Sequence, residues 1–212
     1  MEAGLFGGER TIDIGVSMDR LEILVEEPSI AEVLRVILPK VLPEGWKLGQ
    51  NCTIRYHEGK QDLQLSVPRK IRVASQKDIT TGFIILQDQD SSDCHELKAK
   101  LVNMCEEAQR GFNVVPYKVR IVCHELEAWY LGDMDAIEKV FPRFHADNYR
   151  NRQKFRQPDH CVNPKLELKR LVSDYSQITT AREIAQHMDI RNNKSQSFQC
   201  FISSIRQMLE TR

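Results

Sequence analysis

The sequence has no excess charge of either sign, no long apolar run and no paired cysteine motif. Its 30 basic residues balance its 30 acidic residues, so nucleic acid must be bound by a local patch and not by overall attraction. No segment approaches the roughly 20 apolar residues of a membrane helix, and the first 20 residues lack the apolar core of a signal peptide. These absences predict a cytoplasmic protein with no membrane partner.

Cysteines and glycines also lack the spacing of common cofactor sites. The six cysteines are dispersed and form no C-x-x-C pair, which predicts reduced, partly buried thiols. The segment VEEPS after the first predicted strand has no glycine, and Gly59-Lys60 lacks the rest of a phosphate-binding loop. A calcium loop beginning at Asp88 would need glycine where Asp93 stands. Dinucleotide, P-loop and calcium-loop sites are therefore excluded.

Apolar runs alternate with helical patterns along the first two thirds of the chain. Strands are predicted at about 21–26, 52–56, 81–86 and 117–123, with amphipathic segments between them. This order predicts an α/β fold, a parallel sheet flanked by helices with a C-terminal helical extension. We expect an N-terminal extension at 1–17, an α/β core at 18–142, and a basic loop with helices at 143–212 packing on that core.

Three local signals concern the helices. Ser29 and Glu32 are expected to form a capping box at the start of the first helix, and Asp93 and Glu96 at the start of the third. Pro68 is expected to interrupt the second helical segment, because proline removes a backbone donor. The capping residues then have structural roles that need no catalytic explanation.

Carboxylates follow two of the predicted strands at the point where each strand ends. Glu26 follows the first strand, and Asp88 and Asp90 follow the third, two residues apart and so expected on one face of an extended segment. Because parallel strands end at one edge of the sheet, these groups should lie close together and hold Mg²⁺ or Mn²⁺. Glu27 precedes Pro28 and is expected to stay extended and point to the other side.

Two further carboxylates are candidates for a second ion. Asp93 is kept as a ligand in addition to its capping role. Glu127 has two open interpretations, a metal ligand or an exposed first-turn glutamate favoured by the helix dipole. The neighbouring Trp129 and Tyr130 are expected to pack in the core.

Basic residues provide candidate contacts to phosphate. Lys60 is either a phosphate-binding point charge or a solvated loop lysine. Segment 143–165 carries basic side chains among aromatic ones, which suits a nucleic-acid backbone with stacked bases, or else a mobile charged loop. The candidate nucleic-acid-binding residues are Lys60, Arg150, Arg152, Lys154 and Arg156.

The pattern of acidic motifs resembles two known groups of proteins. A glutamate at the tip of strand one followed later by D-x-D resembles the TOPRIM catalytic core of topoisomerases, primases and OLD-type nucleases. VEEPS is similar to the V-E-G-x-S stretch of the OLD-type branch, with Glu27 in place of the glycine. The set LVEEPS, HEGKQDL, LQDQDSSDC, HELEAWYLGD and NNKSQSFQCF, over about 21–205, resembles the bacterial family called domain of unknown function four-two-seven-six. That resemblance implies a TOPRIM-like fold and a place beside an AAA or SMC-like ATPase in anti-phage or mobile-element loci.

These observations lead to a functional hypothesis with two alternatives. We expect a Mg²⁺- or Mn²⁺-dependent phosphodiesterase acting on DNA or RNA, with Glu26, Asp88 and Asp90 holding the metal and Lys60 binding the backbone. The alternatives are a non-catalytic subunit whose C-terminal helices dock on an ATPase, and a haloacid-dehalogenase-like phosphatase. In the phosphatase Asp88 would be the nucleophile and Asp90 the acid/base, but that family places D-x-D on its first core strand. Formation of a homo-oligomer stays open.

Overall fold

Four parallel strands form the single sheet found in the described part of the protein. The computed structural model describes residues 18–209, so the expected N-terminal extension 1–17 lies outside the described residues. The strands are β1 (Arg20–Val25), β2 (Cys52–Tyr56), β3 (Thr81–Asp88) and β4 (Tyr117–Val122). Their order is β2-β1-β3-β4 and every neighbouring pair is parallel. The predicted α/β fold is confirmed.

Helices cover both faces of this sheet. The crossover helices are α1 (Pro28–Val41), α2 (Lys60–Ala74) and α3 (Cys94–Ala108); after β4 come α4 (Glu127–Leu131), α5 (Met134–Val140), α6 (Pro164–Leu171), α7 (Gln177–His187) and α8 (Gln196–Leu209). Side chains alternate along the strands, so Ile23 and Ile84 pack towards α1 and α8, while Leu24 and Phe83 pack towards α2 and α3. Across residues 18–209, no helix combines the length and the apolar character needed to cross a bilayer.

The start of α1 differs from the predicted capping box. The helix begins at Pro28, and the N-cap residue Glu27 makes no side-chain capping bond. Ser29 instead donates its hydroxyl to Glu27 Oε1 at 2.8 Å, and Glu32 pairs with Arg35. Proline is preorganised for the first helical position and has no N–H to cap, which favours this earlier start. The assignment of Ser29 and Glu32 to a capping box was wrong.

Helix α2 is longer and more continuous than predicted. It begins at Lys60, so this residue lies in the first turn of a helix and not in a loop, and Pro68 sits inside the helix without ending it. Leu63, Val67 and Ile71 are fully buried on one face of the helix. We attribute its continuity to this apolar packing, which offsets the one backbone hydrogen bond that proline removes.

The C-terminal third of the described chain packs on the sheet and its helices. Segment 143–163 forms three 3-10 turns, Ala146–Asn148, Gln153–Phe155 and Pro158–His160, and buries Phe144 and Phe155. Helix α7 lies along α1, and α8 contacts β4. One apolar core therefore runs from β1 to α8, and it holds the C-terminal residues near the edge at which β1 and β3 end.

Candidate functional site

The ends of β1 and β3 bring Glu26 and Asp88 together. Strand β1 ends at Val25, and the side chain of Glu26 then turns towards β3, where its Oε2 accepts a hydrogen bond from the main-chain N–H of Asp88 at 3.2 Å. The two residues are 62 positions apart in the chain. The parallel pairing of β1 with β3 produces this contact, as expected from the sequence.

Asp88 is the buried centre of a carboxylate cluster. Its side chain is 6% exposed, and Oδ1 has no hydrogen-bond partner among residues 18–209. Burial raises its pKa well above the ordinary value, and the charges of Glu27, Glu26, Glu127 and Asp90 raise it further. We call these five residues the acidic cluster. The ionised form of the Asp88 carboxyl is therefore unfavourable unless a proton or a cation neutralises its charge.

The pKa of the Glu26 carboxyl is also raised. Burial and the charge of Asp90 raise the pKa of Glu26 to about 7, against the opposing effects of the Asp88 N–H and the Lys60 ammonium group. A carboxyl that retains its proton to near neutrality is uncommon at a half-buried position. Glu26 is thus poised to exchange a proton for another cation near physiological pH.

Asp90 reaches the acidic cluster by a route that the alternation of strand residues does not predict. Strand β3 ends at Asp88, and Asp90 has φ +51°, in the left-handed region that few non-glycine residues adopt. Its N–H donates to the carbonyl of His124, itself at φ +56°, at 2.8 Å. The expectation that Asp88 and Asp90 share one extended segment was wrong. Asp90 lies at the exposed rim, with Lys60 Nζ 3.4 Å from its Oδ2.

Glu27 belongs to the acidic cluster, although its sequence position suggested otherwise. Its backbone is extended as expected, with φ −143° and ψ 162°. Its charge nevertheless acts on both Asp88 and Tyr130, so the expectation that it points to the other side was wrong. Strand β1 has already ended at Val25, and the two-residue alternation of a sheet no longer applies beyond that point.

Glu127 is buried at the start of α4. It is 1% exposed, which rules out the exposed first-turn glutamate, and its Oε1 accepts a hydrogen bond from the Tyr175 hydroxyl at 2.5 Å. Burial raises the pKa of Glu127, while the Tyr175 bond and the Lys165 charge lower it. Sequence analysis missed both Tyr175 and Lys165, because neither stands in a recognisable motif.

Tyr130 places an unusual polar group beside the acidic cluster. The residue is fully buried, as expected of a packing residue, but its hydroxyl has no hydrogen-bond partner within the described range 18–209. Burial raises its pKa, and the charges of Glu127, Glu27 and Asp88 raise it further. A buried tyrosine hydroxyl normally has a partner. Here the unpartnered hydroxyl and the unpartnered Asp88 Oδ1 lie by the same set of carboxylates.

The other predicted site residues make contacts elsewhere. Asp93 is exposed and caps α3, its Oδ1 accepting from the N–H groups of His95 and Glu96; this confirms the predicted capping role. The basic side chains 150–156 contact their own region: Arg150 forms a bidentate pair with Asp135, Arg152 covers the Tyr149 ring, Lys154 pairs with Glu167, and Arg156 donates to the Asn151 carbonyl.

The donor chemistry of the cluster suits a hard divalent cation, since carboxylate oxygens are the ligands that Mg²⁺ and Mn²⁺ prefer. A cation bound beside Asp88 would give its unpartnered Oδ1 a partner and would lower the pKa that burial and the neighbouring charges raise. Among residues 18–209, however, no three His, Cys, Asp or Glu side chains already converge on one point. Glu26, Glu27 and Glu127 each accept hydrogen bonds from neutral donors, and a bound cation would draw these carboxylates closer together while those bonds persist.

The last two motifs of the resemblance, HELEAWYLGD and NNKSQSFQCF, pack against each other. Trp129 donates from Nε1 to Ser197 Oγ at 3.0 Å, and its carbonyl accepts from Asn193 Nδ2 at 2.8 Å. Asp159 accepts hydrogen bonds from the Ser195 hydroxyl and the Ser197 N–H at 2.6 and 2.7 Å. The HELEAWYLGD segment thus contributes Glu127 to the acidic cluster while its other side is held by NNKSQSF.

Comparison with known proteins gives a family and no characterised relative. Neither the curated proteins nor the solved structures contain a significant match. One family model matches residues 25–206, a span that includes every member of the acidic cluster. The chain belongs to the family described as domain of unknown function (DUF4276).

Proposed function

We propose that the protein is a Mg²⁺- or Mn²⁺-dependent phosphodiesterase of TOPRIM type that hydrolyses DNA or RNA. The observation that supports this most directly is the acidic cluster around Asp88, whose Oδ1 is buried and unpartnered. Five carboxylates held together with only two nearby ammonium groups in the described chain, those of Lys60 and Lys165, are costly in a folded protein. A divalent cation bound among these carboxylates would offset their mutual repulsion.

The chain's own residues divide between an inner and an outer part of this site. Glu26, Asp88 and Asp90 would hold the cation, which when bound would activate water and stabilise the charge on the scissile phosphate. Lys60 is 54% exposed at the rim beside Asp90. It would bind a phosphate of the backbone there and release Asp90, its present partner. Lys60 is also the first residue of α2, and the positive end of the helix dipole adds to the attraction for an anion there.

The test measures metal binding and cleavage separately. Calorimetry with Mn²⁺ on the full chain should show binding, and Glu26→Gln and Asp88→Asn should abolish it while the proteins stay folded. Plasmid DNA or transfer RNA, incubated with and without Mn²⁺, should be cleaved only in the presence of metal and by neither of the two cluster variants. Glu44→Gln, which removes an exposed carboxylate, serves as the matched control. Cleavage retained in both cluster variants would refute the assignment.

A second candidate function is a non-catalytic subunit that docks on an ATPase through the C-terminal helices. It is favoured by the internal pairing of Arg150 and Lys154, which leaves less charge for nucleic acid. In that case calorimetry shows no Mn²⁺ binding. Turnover of a small phosphomonoester with phosphorylation of Asp88 would instead identify a haloacid-dehalogenase-like phosphatase.

A further inference from the structure

Two neutral side chains from the C-terminal region hold the inner carboxylates of the acidic cluster. Gln177 Nε2 donates to both carboxylate oxygens of Glu27, at 2.8 and 3.0 Å. Tyr175 donates its hydroxyl to Glu127 at 2.5 Å. The donors are two positions apart, just before α7 and at its first residue, whereas Glu27 and Glu127 belong to the start of α1 and of α4.

The choice of donors keeps the negative charge of the cluster. An arginine or lysine at either position would neutralise its carboxylate partner and compete with a cation. A phenol and an amide fix the orientation of a carboxylate and leave its charge in place. Ser29, the second residue that donates to Glu27, is neutral as well. The hydrogen bonds therefore favour a set of fixed and still anionic ligands.

Two unpartnered atoms mark the space next to these carboxylates. Asp88 Oδ1 and the Tyr130 hydroxyl are buried and lack hydrogen-bond partners in the described chain. The charges of Glu27 and Glu127 act on both groups. Buried polar atoms without partners are rare and costly, and a ligand or an ordered water bound beside this carboxylate set would satisfy them.

We propose that Tyr175 and Gln177 are positioning residues, which hold Glu127 and Glu27 beside Asp88 so that the C-terminal region completes a divalent-cation site. The inference rests on the proposed metal-dependent function and extends it to residues outside the strand tips. Groups that orient metal-binding carboxylates commonly change metal affinity by about 10–100-fold when they are removed. Tyr175 and Gln177 thus set how tightly the cation binds without touching it.

The experiment measures Mn²⁺ affinity by calorimetry on the full chain carrying Tyr175→Phe or Gln177→Leu. Each variant is expected to bind Mn²⁺ about 10-fold or more weakly. The matched controls are Tyr149→Phe, whose ring lies in the Arg152 contact, and Gln186→Leu, exposed later in α7. Both controls should bind Mn²⁺ as the unmodified chain does. Gln177 is only half-buried, so its variant keeps the protein folded and the measurement possible.

A double-mutant comparison separates positioning from a general loss of structure. Glu127→Gln keeps an acceptor for Tyr175 but removes the charge. If Tyr175 acts through Glu127, then adding Tyr175→Phe to Glu127→Gln changes the Mn²⁺ affinity by less than about 2-fold. Equal losses in both backgrounds, or no loss in either single variant, overturn the positioning role. An unmodified chain that binds no Mn²⁺ overturns the proposed function together with it.

Discussion

Replacing Glu26 by glutamine should stabilise the metal-free protein at neutral and alkaline pH. Burial, followed by the charge of Asp90, raises the pKa of Glu26 from 4.5 to about 7. Below pH 4.5 the carboxyl of Glu26 is protonated in both the folded and the unfolded chain, so its ionisation does not change the free energy of unfolding of the wild type relative to Glu26→Gln. Between pH 4.5 and 7 the unfolded chain releases its proton first, so wild-type stability falls as pH rises. The advantage of Glu26→Gln should grow through this window and level off above pH 7.

The size of this effect follows from the pKa gap. At about 1.4 kcal/mol per pKa unit the full gap corresponds to about 3 kcal/mol. Because Glu26 is only half-buried we discount this by about half for solvent screening, to about 1.5 kcal/mol. Glutamine can still accept the hydrogen bond from the Asp88 N–H. For a chain of this length the melting temperature should rise by about 3–6 °C.

Thermal unfolding in chelator-treated buffer at pH 4 and pH 8 measures this prediction. Glu44→Gln, at an exposed position, should change stability by less than about 0.5 kcal/mol at either pH. Addition of Mn²⁺ at pH 8 should then raise the melting temperature of wild type and leave Glu26→Gln unchanged. If Glu26→Gln is no more stable than wild type at pH 8, the acidic cluster does not carry the electrostatic cost that the metal proposal requires.

Three further variants probe other parts of the structure. Tyr130→Phe removes a buried hydroxyl that has no partner, so its metal-free stability in urea should match or exceed that of wild type, and a loss above about 1 kcal/mol would contradict the geometry. Gly132→Ala places a Cβ against Asn193 and should destabilise by about 1–3 kcal/mol in the same assay; a neutral result would refute the close contact of the two motifs. Arg150→Ala breaks the pair with Asp135. It should lower the melting temperature but have little effect on nucleic-acid affinity in a filter assay, and a large loss of affinity would contradict the structural role of Arg150.

The fold was predictable because its signals are local and repeated. The apolar runs of β1 and β3 are short and end in carboxylates, and the intervening amphipathic helices require parallel strands. The register between Val25 and Leu86 follows from that arrangement and brings Glu26 to Asp88. Sequence reasoning failed at prolines, because a proline can begin a helix, interrupt it or lie within it. Pro28 began a helix that the Ser29 box was expected to begin, and Pro68 stayed inside a helix that its buried face holds together.

The acidic cluster was predictable only in the part that the strands determine. Glu26 directly follows β1 and Asp88 is the last residue of β3, so the sheet places them. Glu27 and Asp90 lie beyond those positions, where local backbone dihedral angles and not strand alternation decide the direction of a side chain. The left-handed φ of Asp90 has no sequence signature. Tyr175 was out of reach for a different reason, since its contact with Glu127 spans 48 residues and depends on the packing of the C-terminal helices.

That packing explains why the C-terminal region matters to the proposed chemistry. The motif that begins at His124 holds Glu127 at the acidic cluster, and two residues later Trp129 is enclosed by Phe198 and Phe201, at ring-centroid distances of 5.1 and 5.6 Å. A change in α8 would therefore move α4 and with it a carboxylate of the cluster. We expect Phe201→Ala to weaken Mn²⁺ binding from a position that does not touch the site, an outcome that calorimetry on the folded variant can measure. Unchanged affinity would mean that Glu127 is held by Tyr175 alone.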